Sequence, residues 1–209
     1  MASLVSRRIA GASAVALSLY GLYWVLAIVG AQFYRTSFLL VALVATFLAG
    51  GGGRGRGSLR ESSPPLPPPR TSPFDWILAA LAVIALGWPL VDYAAFPYRA
   101  ATPTMVDLVL GVVTILLVLE ATRRTAGWVL PVTAVLFVLY AYLGPLFDLV
   151  GLGAIAHRGY YPDRLVGTLY MTLDGIFGVP LEVAATYVVL FSAYGAVLEH
   201  SGAGKFFID

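Results

Sequence analysis

The stretch "ILLVLEATRRTAGWVLP" (Ile115–Pro131) places three charged residues between two apolar segments. The charges are Glu120, Arg123 and Arg124. A charged side chain at the centre of a bilayer costs about 2.5–3.5 kcal/mol on insertion scales, so we expect these residues at the level of the headgroups. The pattern predicts two antiparallel membrane spans joined by a tight turn, in which Glu120 pairs with Arg123 or Arg124 at i+3 or i+4. Such charges act in folding and orientation rather than in ligand binding.

The composition of the whole chain agrees with this interpretation. Of 209 residues, 59% are hydrophobic and 11% are charged, whereas soluble domains average about 25% charged residues. The mean hydropathy is +0.85. The formal net charge of +2 is too small and too dispersed to indicate a nucleic-acid partner. The sequence has no cysteine, which excludes disulfides and thiolate metal sites.

Six apolar segments approach the roughly 20 residues that a membrane-spanning helix needs. They are Ile9–Val29, Thr36–Gly50, Phe74–Val91, Thr104–Ala121, Ala126–Leu146 and Val183–Leu198. The first could be a signal peptide because Arg7 and Arg8 precede it, but its apolar run exceeds the roughly 7–15 residues of a cleavable one. The second is short and would need Arg35 to snorkel towards the headgroups. The predicted fold class is therefore an all-α polytopic membrane bundle.

The predicted organisation has four parts. Residues 1–50 hold two spans, 51–73 form a linker, 74–146 hold three spans, and 147–209 hold a periplasmic or interfacial segment followed by the last span. The linker region "GGGGRGRGSLRESSPPLPPPR" (Gly50–Arg70) has almost nothing to bury. An RNA-binding RGG tract is the alternative, but the stretch has only two Arg-Gly steps and no aromatic residue.

The distribution of Lys and Arg predicts the orientation of the spans. A cytoplasmic N-terminus places most basic residues inside: Arg7, Arg8, Arg54, Arg56, Arg60, Arg70, Arg123, Arg124 and Lys205. The outside then holds Arg35, Arg99, Arg158 and Arg164. This excess inside is the usual bias of membrane proteins, and it predicts a cytoplasmic linker.

One segment between the last two spans has a different pattern. In "RLVGTLYMTLDGIF" (Arg164–Phe177), Leu165, Leu169, Leu173 and Ile176 or Phe177 share one helical face. We predict an amphipathic helix that lies in the outer interface or dips into the membrane.

Residues typical of catalysis are few. His157 and His200 have no H-E-x-x-H spacing and no carboxylate cluster beside them. "EHSGAGKFF" lacks the first glycine and the final Ser or Thr of a phosphate-binding loop. Asp107, Glu120, Asp174 and Glu199 lie near span ends, where either a functional role or a water-accessible cap is possible. The candidates retained for function are His157, Arg158, Asp174, Glu182 and Glu199; no cofactor or metal site is expected.

Several stretches resemble the fused permease of TRAP (tripartite ATP-independent periplasmic) transporters, in which a small four-helix subunit is joined to a large transport subunit. They are "DLVLGVVTILLVLEATRRTAGWVLPVTAVLFVLYAYLGP" (Asp107–Pro145), "HRGY" (His157–Tyr160), "LYMTLDGIFGVPLEVAATYVVLF" (Leu169–Phe191) and "GAVLEHSGAGKFFID" (Gly195–Asp209). The first half of the chain matches only in its helix plan and linker. Glu182 departs from the resemblance, because related permeases carry a small residue there.

The resemblance implies a bacterial inner-membrane importer of organic anions, coupled to sodium and served by a periplasmic binding protein of the TAXI type. It also implies that this chain is the N-terminal portion of a longer transporter, which packs on the remaining helices and does not transport alone. A membrane scaffold protein is the alternative, and a membrane-embedded enzyme or sensor is a further one. The substrate cannot be read from these residues.

Overall fold

Most of the chain that the structure describes is helical, and short turns and irregular stretches connect the helices. The structure is a computed structural model, and it describes residues 19–21, 23, 30–48, 72–149, 151 and 153–201. The α-helices are α1 (Ala31–Leu48), α2 (Pro73–Val91), α3 (Met105–Ala126), α4 (Val129–Leu149), α5 (Pro162–Val166), α6 (Val179–Val183) and α7 (Val189–His200). Wider π-helical turns at Gly167–Met171 and Ala184–Val188 continue α5 and join α6 to α7.

Five helices of the described residues are long and apolar enough to cross a membrane. They are Ala31–Leu48, Pro73–Val91, Met105–Ala126, Val129–Phe147 and Val179–Glu199. These correspond to five of the six predicted spans and confirm the all-α membrane fold. The sixth prediction, Ile9–Val29, lies almost entirely outside the described residues. The prediction that α1 begins at Thr36 was wrong, because the helix begins at Ala31 and contains Arg35 within its second turn.

Local sequence signals account for the helix ends. α2 and α3 each begin with a capping box, in which Ser72 pairs with Asp75 and Thr104 pairs with Asp107. α3 ends at Gly127, whose φ of 87° is a conformation that favours glycine. Pro131 lies in the first turn of α4, so its missing N–H leaves no intrahelical bond unmade.

Each of the first four helices runs antiparallel to the next, and their ends therefore meet at two sides of the bundle. Arg124 of α3 contacts both Asp75 at the start of α2 and Phe47 at the end of α1. We call this end the linker side. At the other end, the opposite side, Phe33 near the start of α1 lies edge-on to Tyr93, just after α2. The main core lies between these ends and includes Phe47, Leu86, Phe96, Leu117, Tyr170, Met171 and Phe177.

The segment predicted to be amphipathic, Arg164–Phe177, is inserted into the bundle from the opposite side, and we call it the inserted segment. Its buried residues are Val166, Gly167, Tyr170, Met171 and Phe177. The predicted apolar face was therefore wrong in part: Phe177 is buried as expected, but Leu173 is exposed and Leu165 and Leu169 are only partly buried. The reason is that a π-helical turn and a non-helical stretch replace the regular helix, and this shifts which side chains point to the core.

Candidate functional site

Four charged residues form a cluster at the linker side: Asp75, Glu120, Arg123 and Arg124. Glu120 accepts hydrogen bonds from Nε and Nη2 of Arg123, both at 2.7 Å, and from Nε of Arg124 at 2.7 Å. Nη1 of Arg124 donates to Oδ1 of Asp75 at 2.6 Å. The predicted pairing of Glu120 is confirmed, and Glu120 binds both arginines. The additional contact to Asp75 joins α3 to α2.

The two arginines of this cluster differ in burial. The side chains of Arg124 and Asp75 are 12% and 9% exposed, whereas that of Arg123 is 36% exposed. The guanidinium of Arg124 also lies 5.4 Å from the ring centroid of Phe47, and that of Arg123 lies 5.2 Å from the ring centroid of Trp128. Arg124 therefore connects α1, α2 and α3, whereas the charge and ring contacts of Arg123 within the described part of the chain are with its own helix and the turn that follows.

Asp75 was missed as a member of this cluster, although the sequence contains a signal for it. The stretch Ser72-Pro73-Phe74-Asp75 has the spacing of a capping box, and the backbone N–H of Ser72 donates to Asp75 Oδ2 at 2.8 Å. The antiparallel plan places this helix start at the same end as Arg124. The second carboxylate oxygen remains free for that arginine.

A second ionic cluster lies on the opposite side, around the fully buried carboxylate of Asp107. Its Oδ1 accepts from Trp88 Nε1 at 2.8 Å, and its Oδ2 accepts from the Thr104 hydroxyl at 2.7 Å and the Thr104 N–H at 3.0 Å. Nε of Arg99 lies 3.5 Å from Oδ2. Asp92 accepts a further hydrogen bond from Arg99, which raises the pKa of that guanidinium.

Of the two possibilities left open for Asp107, a water-accessible cap was wrong, because the side chain is fully buried. The residue does cap α3, but protein donors replace water because the loop between α2 and α3 folds over it. A buried carboxylate is tolerated when hydrogen bonds and an opposite charge satisfy it. The cluster thus fixes the connection between α2 and α3 on the opposite side.

The inserted segment depends on two glycines and one tyrosine. A Cβ on Gly111 of α3 would lie 2.4 Å from Val166 Cγ1, and a Cβ on Gly167 would lie 2.5 Å from the carbonyl oxygen of Ala100. The hydroxyl of Tyr170, which is fully buried, donates to the carbonyl of Ala85 within α2. These contacts hold the segment between α2 and α3.

Arg35 of α1 reaches the point where this broken segment ends. Its Nη1 donates to the Phe177 carbonyl at 2.8 Å, and its Nη2 lies 2.6 Å from Glu182 Oε2 in α6. The neighbouring Tyr34 hydroxyl donates to the carbonyl of Ala185. The expectation that Arg35 snorkels was wrong, since its side chain is only 9% exposed. Glu182, which was an unexplained candidate, is the acidic partner of this arginine.

His157 has a packing role in the loop after α4. Its Nε2 lies 3.1 Å from the carbonyl oxygen of Tyr140, and its Nδ1 accepts from the N–H of Gly159 at 3.0 Å. These contacts correspond to the neutral tautomer that carries its proton on Nε2. A Cβ on Gly144 would lie 2.3 Å from the imidazole, so glycine provides the space for this ring.

The remaining candidates lie apart from one another and are exposed. Arg158 follows His157 in the loop, Asp174 lies in the turn that ends the inserted segment, and Glu199 is near the end of α7. Within the described residues, no group of three or more His, Cys, Asp or Glu side chains could hold a metal ion. The structure therefore brings together Arg35 with Glu182, and Glu120 with both arginines, but it does not combine the candidates into one pocket.

Comparison with known proteins finds one family model that matches part of the chain. The family model for the tripartite ATP-independent periplasmic transporter, DctM component, matches residues 113–209. No curated protein and no solved structure matches the chain. The matched region begins within α3 and includes α4 and the inserted segment with its Arg35 partner Glu182. Residues 113–209, somewhat less than half of the chain, are therefore similar to the DctM component of TRAP transporters, and this similarity supports a TRAP permease.

Proposed function

We propose that this chain forms part of the permease of a sodium-coupled TRAP transporter that imports an organic anion. The anion is of the carboxylate type, and a periplasmic binding protein of the TAXI type delivers it. The chain lies in a bacterial inner membrane with its N-terminus and the linker in the cytoplasm. The helices before the matched region act as the small subunit, fused to the large one.

The observation that carries this proposal is the contact of Arg35 with Phe177 and Glu182. Arg35 lies in α1, outside the matched region, and both of its partners lie within that region. A helix break leaves carbonyl groups without intrahelical partners, and in a bilayer such groups must be satisfied by the protein. α1 supplies that donor, which is the behaviour expected of a bracing subunit.

We further infer that these helices brace the moving part of the transporter and do not transport alone. Secondary transporters with alternating access use repeated, broken helices around a site near the midplane of the membrane. Within the described residues, the stretch from Pro162 to Gly178 is the one break of this kind. Other helices of the large subunit would pack on α7. Small residues let membrane helices approach closely, and α7 offers Gly195, which faces open space, and Ala193.

Uptake by reconstituted proteoliposomes tests the proposal. The vesicles carry an inward sodium gradient, and a panel of labelled carboxylates is supplied with a purified binding protein of the TAXI type. The 209-residue chain alone should accumulate no substrate, and accumulation should require the remaining large-subunit helices. Uptake by the chain alone would contradict the bracing role. Sodium-independent uptake by the complete assembly would contradict the coupling, and no uptake with any carboxylate would favour the scaffold alternative.

A further inference from the structure

A groove of about 890 Å³ opens on the opposite side of the bundle, at the end of α4. One wall consists of Tyr142, Leu143 and Leu146, which belong to the last turns of that span. The other wall comes from the loop after α4 and the start of α5, and it carries Arg158 and Arg164. One face of the groove is therefore apolar and the other is cationic.

The charge of this groove is not balanced by its own walls. No lining residue is a carboxylate, and neither Arg158 nor Arg164 has an acidic partner within 4.0 Å among the described residues. The Arg164 guanidinium lies 5.9 Å from the ring centroid of Tyr160, which leaves its N–H groups available to an acceptor. The groove between α3 and α4 provides a contrast, because Glu120 there matches Arg123.

The shape of the groove indicates the class of its ligand. Pockets for soluble ligands bury most of the molecule they bind, whereas this groove is open along the exposed flank of a membrane span. Tyr142 is half exposed and Tyr161 is 81% exposed, and tyrosines are enriched where membrane meets water. An amphiphilic anion satisfies both walls, while a fully polar anion leaves the α4 wall unused.

From this geometry, we propose that the groove binds an anionic phospholipid of the leaflet opposite the linker. Its phosphate accepts hydrogen bonds from Arg158 and Arg164, and one acyl chain lies along Tyr142 and Leu146. Arginine suits this role because its planar guanidinium donates two parallel hydrogen bonds to a phosphate. The bound lipid would hold the loop that leads from α4 into the inserted segment. This inference does not depend on the transport activity.

Native mass spectrometry of the purified full chain tests the site. The probes are phosphatidylglycerol and phosphatidylcholine with identical acyl chains, titrated into the delipidated protein. The double variant R158A/R164A should lose roughly thirtyfold in affinity for phosphatidylglycerol, taking each arginine as worth about fivefold. R158K/R164K should retain part of the affinity because it keeps the charge. L143W should weaken binding by filling the apolar wall without changing the charge.

Two further arms distinguish the outcomes. Inorganic phosphate in excess should displace the lipid poorly, since it cannot use the α4 wall; equal binding of free phosphate would instead assign a site for small anions. Thermal unfolding of each variant checks that it is folded, and the lysine variant provides the comparison if the alanine variant is not. Equal affinity for the two lipids, or no change in R158A/R164A when folded, would overturn the proposal.

Discussion

Replacement of Arg124 should destabilise the protein far more than replacement of its neighbour Arg123. Arg124→Gln leaves the side chain of Asp75, which is 9% exposed, without a cation. Two unit charges about 4 Å apart attract by about 4 kcal/mol at an effective dielectric constant of 20. Removing one partner of a buried pair costs about 3–5 kcal/mol, and some access of water at the linker side reduces this, so we expect about 2–4 kcal/mol.

Arg123→Gln is the matched control, because this residue also pairs with Glu120 but is 36% exposed. Solvent screens an exposed pair strongly, so we expect a loss much smaller than that of Arg124→Gln. Reversible unfolding in mixed micelles of mild detergent and dodecyl sulfate, followed by circular dichroism, measures both values. A double-mutant cycle with Asp75→Asn should show coupling to Arg124 and none to Arg123. Equal losses for the two arginines, or no coupling between Arg124 and Asp75, would refute the reasoning.

Three further predictions follow from the packing. Gly111→Ala should destabilise the chain by about 1–3 kcal/mol because the new methyl group overlaps the inserted segment, whereas Gly87→Ala, which meets no atom within 4 Å, should be neutral or slightly stabilising in the same unfolding assay. A cysteine at Tyr161 should react with a membrane-impermeant maleimide on intact cells and one at Ser58 should not; the reverse pattern would invert the proposed topology. Glu182→Ala should lower the midpoint temperature of thermal unfolding, because it removes the acidic partner of the buried Arg35. An unchanged midpoint would mean that the Phe177 carbonyl alone holds Arg35.

The long helices could be predicted from the sequence because lipid imposes a simple requirement. A span needs a continuous apolar run, and its charges must lie near its ends, so the stretch around Glu120 was sufficient to predict α3, α4 and the turn between them. The capping boxes at Ser72 and Thr104 are equally local signals. The pairing of Glu120 was predictable for the same reason, since i+3 and i+4 neighbours on a helix always lie close together.

The tertiary role of individual polar residues could not be predicted in this way. Asp107 and Glu199 both lie near helix ends in the sequence, yet one is fully buried and the other is exposed. The difference arises because Trp88 and Arg99, which precede the start of α3 in the sequence, fold back over Asp107. Likewise, a regular helical repeat predicts the wrong face for the segment around Tyr170, since a π-helical turn changes the repeat by one residue per turn.

Glu182 shows how such a residue can be explained once the packing is known. An acidic residue at the start of a membrane span would be unfavourable if it lacked a partner. Arg35 supplies that partner and is itself held by the carbonyl of Phe177. The two residues should therefore have changed together: a relative with a small residue at position 182 should lack the arginine or use it for the carbonyl alone. A set of relatives in which an acidic residue at 182 occurs without a basic residue at 35 would argue against this dependence.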